Sequence, residues 1–392
     1  MYKKIIGAAA VVAAGLGATA ATAQTVRGVT DKEIVIGMHT DLSGPASFYG
    51  VSSRNAAQMR YEQLNAAGGV HGRKIKFIVE DTQYQVPRGV AAVNKLINRD
   101  KVFVIVGGLG TPIINAAFKD QEAANVPNLF PLTAARSMFM PLNKLKFYLG
   151  SSYYDQIRTG LNYLWKEKNR KTICALYEDT DFGLEVLEGI QDQAKALGTK
   201  VAETAAVKPT DTDFSAAMTK LKNANCDLIG MGTIIRTTII PIGTAKRMGW
   251  NEPLFVGQAA AYDYVIAAAP GNATEGYYAS SGMILPYADT APPAIKEWIE
   301  AYKEKFKADI NAGSIYGWQG ADLTILAFDR AGRNLNVDTF TKAMEGIKGY
   351  RDMFGSPVMN FSAENHQGAS TAFLSIVKNG RWEPISKDGM TY

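Results

Sequence analysis

Hydroxyl and aromatic side chains gather where this chain turns. Ser43, Phe48 and Tyr49 follow the first apolar run, Tyr84 follows the second, Thr111 the third and Thr133 the fourth. Thr111 stands in the turn Gly107-Gly108-Leu109-Gly110-Thr111-Pro112, directly after the β-branched stretch Val102–Val106. A buried strand that stops at glycines and opens into a helix leaves free N–H groups beside the positive end of a helix dipole. Such a turn seats a carboxylate or a phosphate; it is also the common strand-to-helix turn of any α/β protein.

Groups for bond-breaking chemistry are sparse. The three histidines, His39, His71 and His366, have no metal-ligand spacing and read as loop or surface residues. No GxSxG, Walker A or CxxC sequence occurs. Gly108-Leu109-Gly110 begins like a dinucleotide fingerprint, but Ile113 occupies the third glycine position and no acidic residue closes the following strand. Asp81 and the stretch Glu178-Asp179-Thr180-Asp181 leave a metal site open, although acidic loops of this kind are usually solvated. Binding without catalysis, cofactor or metal is the expectation.

The elements that carry these residues alternate strand and helix. Ile34–Met38, Lys74–Glu80, Val102–Val106 and Asn128–Phe130 read as strands, with helices over Tyr49–Ala67, Pro87–Arg99 and from Ile113. The alternation restarts after about residue 150. Thr172–Tyr177, Val201–Val207, Asp227–Met231 and Leu254–Gly257 read as strands, and helices lie between them. Alternation of this kind predicts parallel sheets with right-handed crossovers. The fold class is therefore α/β, two doubly wound parallel-sheet lobes. Ligands bind at the carboxyl edge of such sheets, where the second lobe offers Phe182, Ile235, Arg236, Ala259 and Tyr262. After Gly276 come an extended piece, helices near Ile295–Phe306, Tyr316–Ala331 and Val337–Ile347, and strands at Val358–Phe361 and Ala372–Val377. This tail contains no complete alternating unit and is expected to be shared between the lobes, crossing near residues 150, 275 and 355. The first lobe then holds 27–149 plus 279–350, and the second 150–278 plus 355–392.

The chain has 392 residues, 47% hydrophobic and 20% charged, enough for two cores. Residues 1–23 read as a signal peptide: Lys3 and Lys4, the apolar Ile5–Leu16, and an Ala21-Thr22-Ala23 cleavage site. Cleavage after Ala23 implies export to a periplasm. The net charge of +5 is too even for nucleic acid to be a partner. Cys174 and Cys226 are expected as buried free thiols, with a disulfide permitted by export.

The ordered set DLSGPASFYG, NAAGGVHGRKIKFIVEDTQ, VGGLGTP, YEDTDFG, TDFSAAMTKLKNANCDLI, AKRMGW and YGWQGADLTILA resembles the substrate-binding proteins of branched-chain-amino-acid-type ABC transporters, the type I periplasmic binding fold. The resemblance implies a monomeric two-lobe binder with a three-crossing hinge that closes on a small molecule and docks on a membrane permease. It implies a ligand carboxylate held at Thr111, Thr133 and Ala134, and an aromatic contact from Phe182. The family's second aromatic falls on Ile234 or Ile235, beside Arg236. Where the family places a glutamate for the ligand ammonium, this chain has Gln258-Ala259-Ala260-Ala261, with Asp263 a turn further on. An ammonium buried without a carboxylate costs several kcal/mol. The expected ligand is thus a carboxylate without an α-amino group, with an apolar or aromatic body. The alternatives are an amino acid served by Asp263 or by water, a periplasmic sensor of the same fold, and an enzyme using the Gly107–Pro112 turn for a nucleotide.

Overall fold

A computed structural model describes residues 26–392; the signal peptide expected at 1–23 lies outside the described residues. β1 (Glu33–Thr40), α1 (Ser47–Ala66), β2 (Lys74–Asp81), α2 (Val86–Asn98), β3 (Val104–Val106), α3 (Thr111–Ala123), β4 (Asn128–Leu129) and β5 (Lys146–Phe147) build the first unit. Its sheet is parallel throughout, in the order β2-β1-β3-β4-β5. The order reverses between β1 and β3, which opens a crevice at their carboxyl ends. β3 is apolar on both faces and fully buried, as a strand covered by helices on each side must be.

The second unit begins with α4 (Tyr153–Glu167), a helix the sequence reading passed over. Its Ile157, Leu161 and Leu164 are buried at helical spacing, and Ser152 caps it by accepting the Asp155 N–H at 3.1 Å. Then follow β6 (Ile173–Glu178), α5 (Asp181–Ala196), β7 (Glu203–Val207), α6 (Ser215–Asn223), β8 (Leu228–Gly232), α7 (Ile235–Arg247), β9 (Leu254–Gly257), α8 (Tyr264–Ala267) and β10 (Tyr278–Ser281). α9 (Pro293–Phe306), α10 (Ala312–Ala331) and α11 (Val337–Glu345) precede the hairpin of β11 (Phe373–Lys378) and β12 (Arg381–Pro384). The hairpin joins the second sheet antiparallel, giving the order β12-β11-β10-β9-β8-β6-β7. Its turn, Asn379-Gly380, has φ of +51° and +73°, the tight-hairpin geometry those two residues favour. The architecture is two parallel-dominated α/β units, as the alternation predicts.

Three segments connect the units side by side. The Tyr148 N–H donates to His366 O at 2.9 Å and the Gly368 N–H to Tyr148 O at 2.8 Å, while Gln367 Nε2 donates to Gly150 O at 2.9 Å. A Cβ built on Gly150 would stand 4.0 Å from Gly282 Cα. The second and third crossings fall later than residues 275 and 355. β10 straddles the boundary expected at 278/279 and lies wholly in the second sheet. The stretch 358–361 is no strand; Met359 only bridges to Tyr350, and Phe361 packs on Phe130 and Phe147 in the first core before the chain returns.

Three expectations are corrected. Cys174 and Cys226 form a disulfide rather than free thiols: β6 pairs with β8, and Cys226 just ahead of β8 comes within 5.8 Å of Cys174, Cα to Cα. His39 is not in a loop but in β1, fully buried beneath the β3–α3 turn, and burial pushes its pKa down to about 4. His366 is buried too, its ring stacked on Phe147 at 3.9 Å and its Nδ1 2.8 Å from Lys146 O.

Candidate functional site

The carboxyl edges of both sheets border one cavity between the two units, the place where open α/β sheets bind ligands. The first unit lines it with Tyr49 from α1, Tyr84 after β2, Gly110 and Thr111 at the start of α3, and Thr133 and Ala134 after β4. The second unit contributes Tyr153, Phe182, Ile234, Ala259 and Ala260, and α10 adds Ala312 and Tyr316. Five of the lining residues are tyrosines, and none of the described residues lining the cavity carries a charge.

Its polar groups are unevenly distributed. Thr111 Oγ1 and Thr133 Oγ1 lie 2.6 Å apart, and the Tyr153 hydroxyl bonds to Thr133. Three hydroxyl protons serve two internal hydrogen bonds, so one proton is left to donate outward. Burial pushes the Tyr153 phenol up to about 12, which keeps it protonated. The backbone N–H groups of Thr111 and Thr133 donate to no acceptor among the described residues, while the Ala134 N–H donates to the Tyr153 hydroxyl oxygen. On the opposite wall two donors are spent: the Ala259 N–H goes to Gln156 Oε1 at 2.9 Å and the Ala260 N–H to Gln258 Oε1 at 2.7 Å. Donors therefore exceed acceptors on the first-unit wall, and apart from Tyr153 the side chains of the second-unit wall are apolar.

Backbone conformation sets these groups. Gly110 precedes α3 with φ of +104°, which only glycine adopts at no cost. That turn exposes the first N–H groups of α3. Gln83 and Tyr84 take φ of +51° and +54°, held by Gln83 N–H to Asp81 Oδ1 at 3.0 Å and Tyr84 N–H to Thr82 Oγ1 at 3.2 Å. The Tyr84 ring thereby lies over Gly110, where a Cβ would meet its Cε2 at 3.0 Å.

Two carboxylates stand close behind the second wall. Asp263 is fully buried; its Oδ2 accepts the Ala312 N–H at the start of α10 at 2.8 Å, and its Oδ1 accepts the Val265 N–H at 3.3 Å. Glu178, at the end of β6, is buried rather than solvated; its Oε1 accepts from Thr237 Oγ1 at 2.6 Å, and its Oε2 has no partner among the described residues. Burial raises each pKa to about 7. Neither residue lines the cavity.

Of the residues expected at the site, the structure brings together Tyr49, Tyr84, Thr111, Thr133, Ala134, Phe182 and Ala259. Ser43 does not reach the cavity, because its hydroxyl donates to Asp81 Oδ2 at 2.7 Å. Phe48 is 41% exposed, edge-on to Tyr49. Ile235 is displaced by its neighbour: Ile234 caps α7 and faces the cavity, while Ile235 begins the helix. Arg236 is exposed on the same helix. Tyr262 is buried in the second core against Trp382, its hydroxyl 3.2 Å from Ser375 Oγ. The sequence reading missed Tyr148, Tyr153, Ala312 and Tyr316. The first two adjoin a crossing, and the last two open the α10 helix that returns from the tail.

Across the cavity the units also touch directly. The Tyr49 hydroxyl donates to Ala260 O at 3.1 Å, and Asn115 Nδ2 donates to Asp181 Oδ2 at 2.7 Å. Arg136 lies over the Tyr154 ring at 3.9 Å, donates its N–H to Glu185 Oε1 at 2.8 Å and pairs with Glu188.

Residues 33–381 match the family model described as periplasmic binding protein. The chain is 27% identical over 297 residues to a leucine-, isoleucine-, valine-, threonine- and alanine-binding protein of Pseudomonas aeruginosa, covering 76% of each. It superposes on a fatty acid ABC transporter substrate-binding protein from Thermomonospora curvata with a TM-score of 0.84 and 26% identity, covering 94% of this chain and 95% of that one. A branched-chain amino acid ABC transporter protein from Thermus thermophilus with bound valine shares the fold at a TM-score of 0.84 and 19% identity, over 93% of this chain and 98% of that one. A family match over most of the chain, on a two-unit α/β fold with a cavity between the units, makes this protein a member of the periplasmic binding protein family.

Proposed function

We propose that the protein is the periplasmic solute-capturing component of an ABC importer, acting as a monomer without catalysis, and that its cargo is a small carboxylate with an apolar or aromatic body and no α-amino group. The observation that carries this reading is the uncharged lining with surplus donors on the first-unit wall. Hydroxyl and N–H donors without a cation suit a carboxylate, each charge-assisted bond contributing about 1.5–3 kcal/mol. The carboxylate sits against Thr111, Thr133 and Ala134, and its body lies between Phe182, Ile234 and the tyrosines. A relative named for fatty acids, which carry a carboxylate and no amine, supports the same chemistry.

A second reading, an amino acid cargo, is favoured by the relative named for leucine and its neighbours. It requires a carboxylate for the ammonium, and Asp263 already accepts two backbone N–H groups away from the cavity. Thermal melting against a panel of acids and amino acids decides between them, because a ligand that binds only the folded chain raises the melting temperature. A clear shift with aromatic or alkyl acids and none with leucine or valine is the expected outcome. The reverse pattern rejects it.

A further inference from the structure

Resting on the carboxylate reading above, we propose that Tyr84 and Tyr148 determine specificity by reading a hydroxyl on the ligand, so that the preferred cargo is a hydroxylated aromatic acid.

A carboxylate accepts about four hydrogen bonds. The N–H groups of Thr111 and Thr133 and the outward proton of the Thr111–Thr133–Tyr153 chain supply three of them. Three of the five lining phenols are engaged elsewhere: Tyr49 donates to Ala260 O, Tyr153 bonds to Thr133, and Tyr316 lies 3.5 Å from Ser281 Oγ. The hydroxyls of Tyr84 and Tyr148 have no hydrogen-bond partner among the described residues, and neither oxygen is among the polar atoms sealed from solvent space. Burial raises both phenols, so both stay protonated. They are two donors, each also an acceptor, one more than the carboxylate can use.

An apolar ligand would cover these hydroxyls and leave them unpaired, which is costly in a dry cavity. A ligand hydroxyl pairs with such a phenol, accepting its proton or donating to its oxygen. The backbone supports a role for Tyr84 beyond filling space. Two consecutive residues are held at positive φ to lay its ring over Gly110, and strain of this sort concentrates at binding sites. Tyr148 is fixed by stacking on Phe139, with ring centroids 6.0 Å apart.

Isothermal titration with paired probes tests the proposal: benzoate against para-hydroxybenzoate, and phenylpropenoate against its para-hydroxy form. The wild-type chain is expected to bind the hydroxylated member of a pair about tenfold tighter. In the Tyr84→Phe, Tyr148→Phe double variant the ratio falls to within about twofold. Thr111→Ala weakens both members of each pair by a common factor and leaves the ratio unchanged, which separates the carboxylate seat from the hydroxyl reader. Melting curves on the single and double phenylalanine variants establish that they are folded. A wild-type ratio near one, or a preference that survives in the double variant, overturns the proposal and leaves the carboxylate reading standing. Binding of leucine with none of the four acids overturns both.

Discussion

Thr111 and Thr133 illustrate how much a neutral site can do. Their paired hydroxyls leave one proton directed outward, and the adjacent N–H groups add further donors with no counter-charge to bury. Thr111→Ala should weaken binding of a carboxylate by about 1–3 kcal/mol, read as a rise in Kd by titration, with little change in melting temperature of the unliganded chain. A separate prediction concerns Glu178 and Asp263. Burial raises both from ordinary values of 4.5 and 3.8 to about 7, so the folded chain holds protons that the unfolded chain has released. Their contribution to stability is full below about pH 4 and is lost as pH rises through about 7. Urea unfolding should therefore show stability falling between about pH 5 and pH 8, and Glu178→Gln should flatten that slope.

At the scale of elements, the turn between β3 and α3 decides whether the site exists. Gly110 has φ of +104° and the Tyr84 ring lies against it. Gly110→Ala adds a Cβ that the backbone disfavours and that meets Tyr84 Cε2 at 3.0 Å. It should cost about 1–3 kcal/mol of stability by urea unfolding and weaken ligand binding as Tyr84 is displaced. The disulfide ties β6 to the entry of β8 across a sequence separation of 52 residues. Replacing both Cys174 and Cys226 by serine should destabilise the chain by up to about 4 kcal/mol through the freed unfolded state, seen as a lower melting temperature that reductant no longer changes.

For the whole molecule, the contacts across the cavity describe a closed arrangement. Arg136 with Glu185, Glu188 and Tyr154, Asn115 with Asp181, and Tyr49 with Ala260 all join one unit to the other beyond the three connecting segments. A ligand that touches both walls favours closure only through such differential contacts. Glu185 is largely buried, so its ion pair is screened less than a surface pair. Arg136→Ala should shift the unliganded chain toward open forms. Small-angle scattering should give a larger radius of gyration without ligand, restored by saturating ligand, and titration should give weaker affinity.

The chain's own order of residues determined the two alternating units, the glycine turn before α3 and the hydroxyl-bearing loops, because strand and helix periodicities and turn residues act locally. It also carried the absence of an acidic residue at Gln258–Ala261. Tertiary packing decided the rest. Ile234 rather than Ile235 faces the cavity, because the former caps α7 and the latter enters the helix. Tyr262 reads like a site residue but is taken into the second core by Trp382. Tyr148, Tyr153 and Tyr316 reach the cavity only because three distant segments run side by side between the sheets. The pairing of β6 with β8 brought Cys174 to Cys226. Local periodicity places a residue on an element; which elements meet depends on contacts between residues far apart in the chain, and no single stretch encodes them.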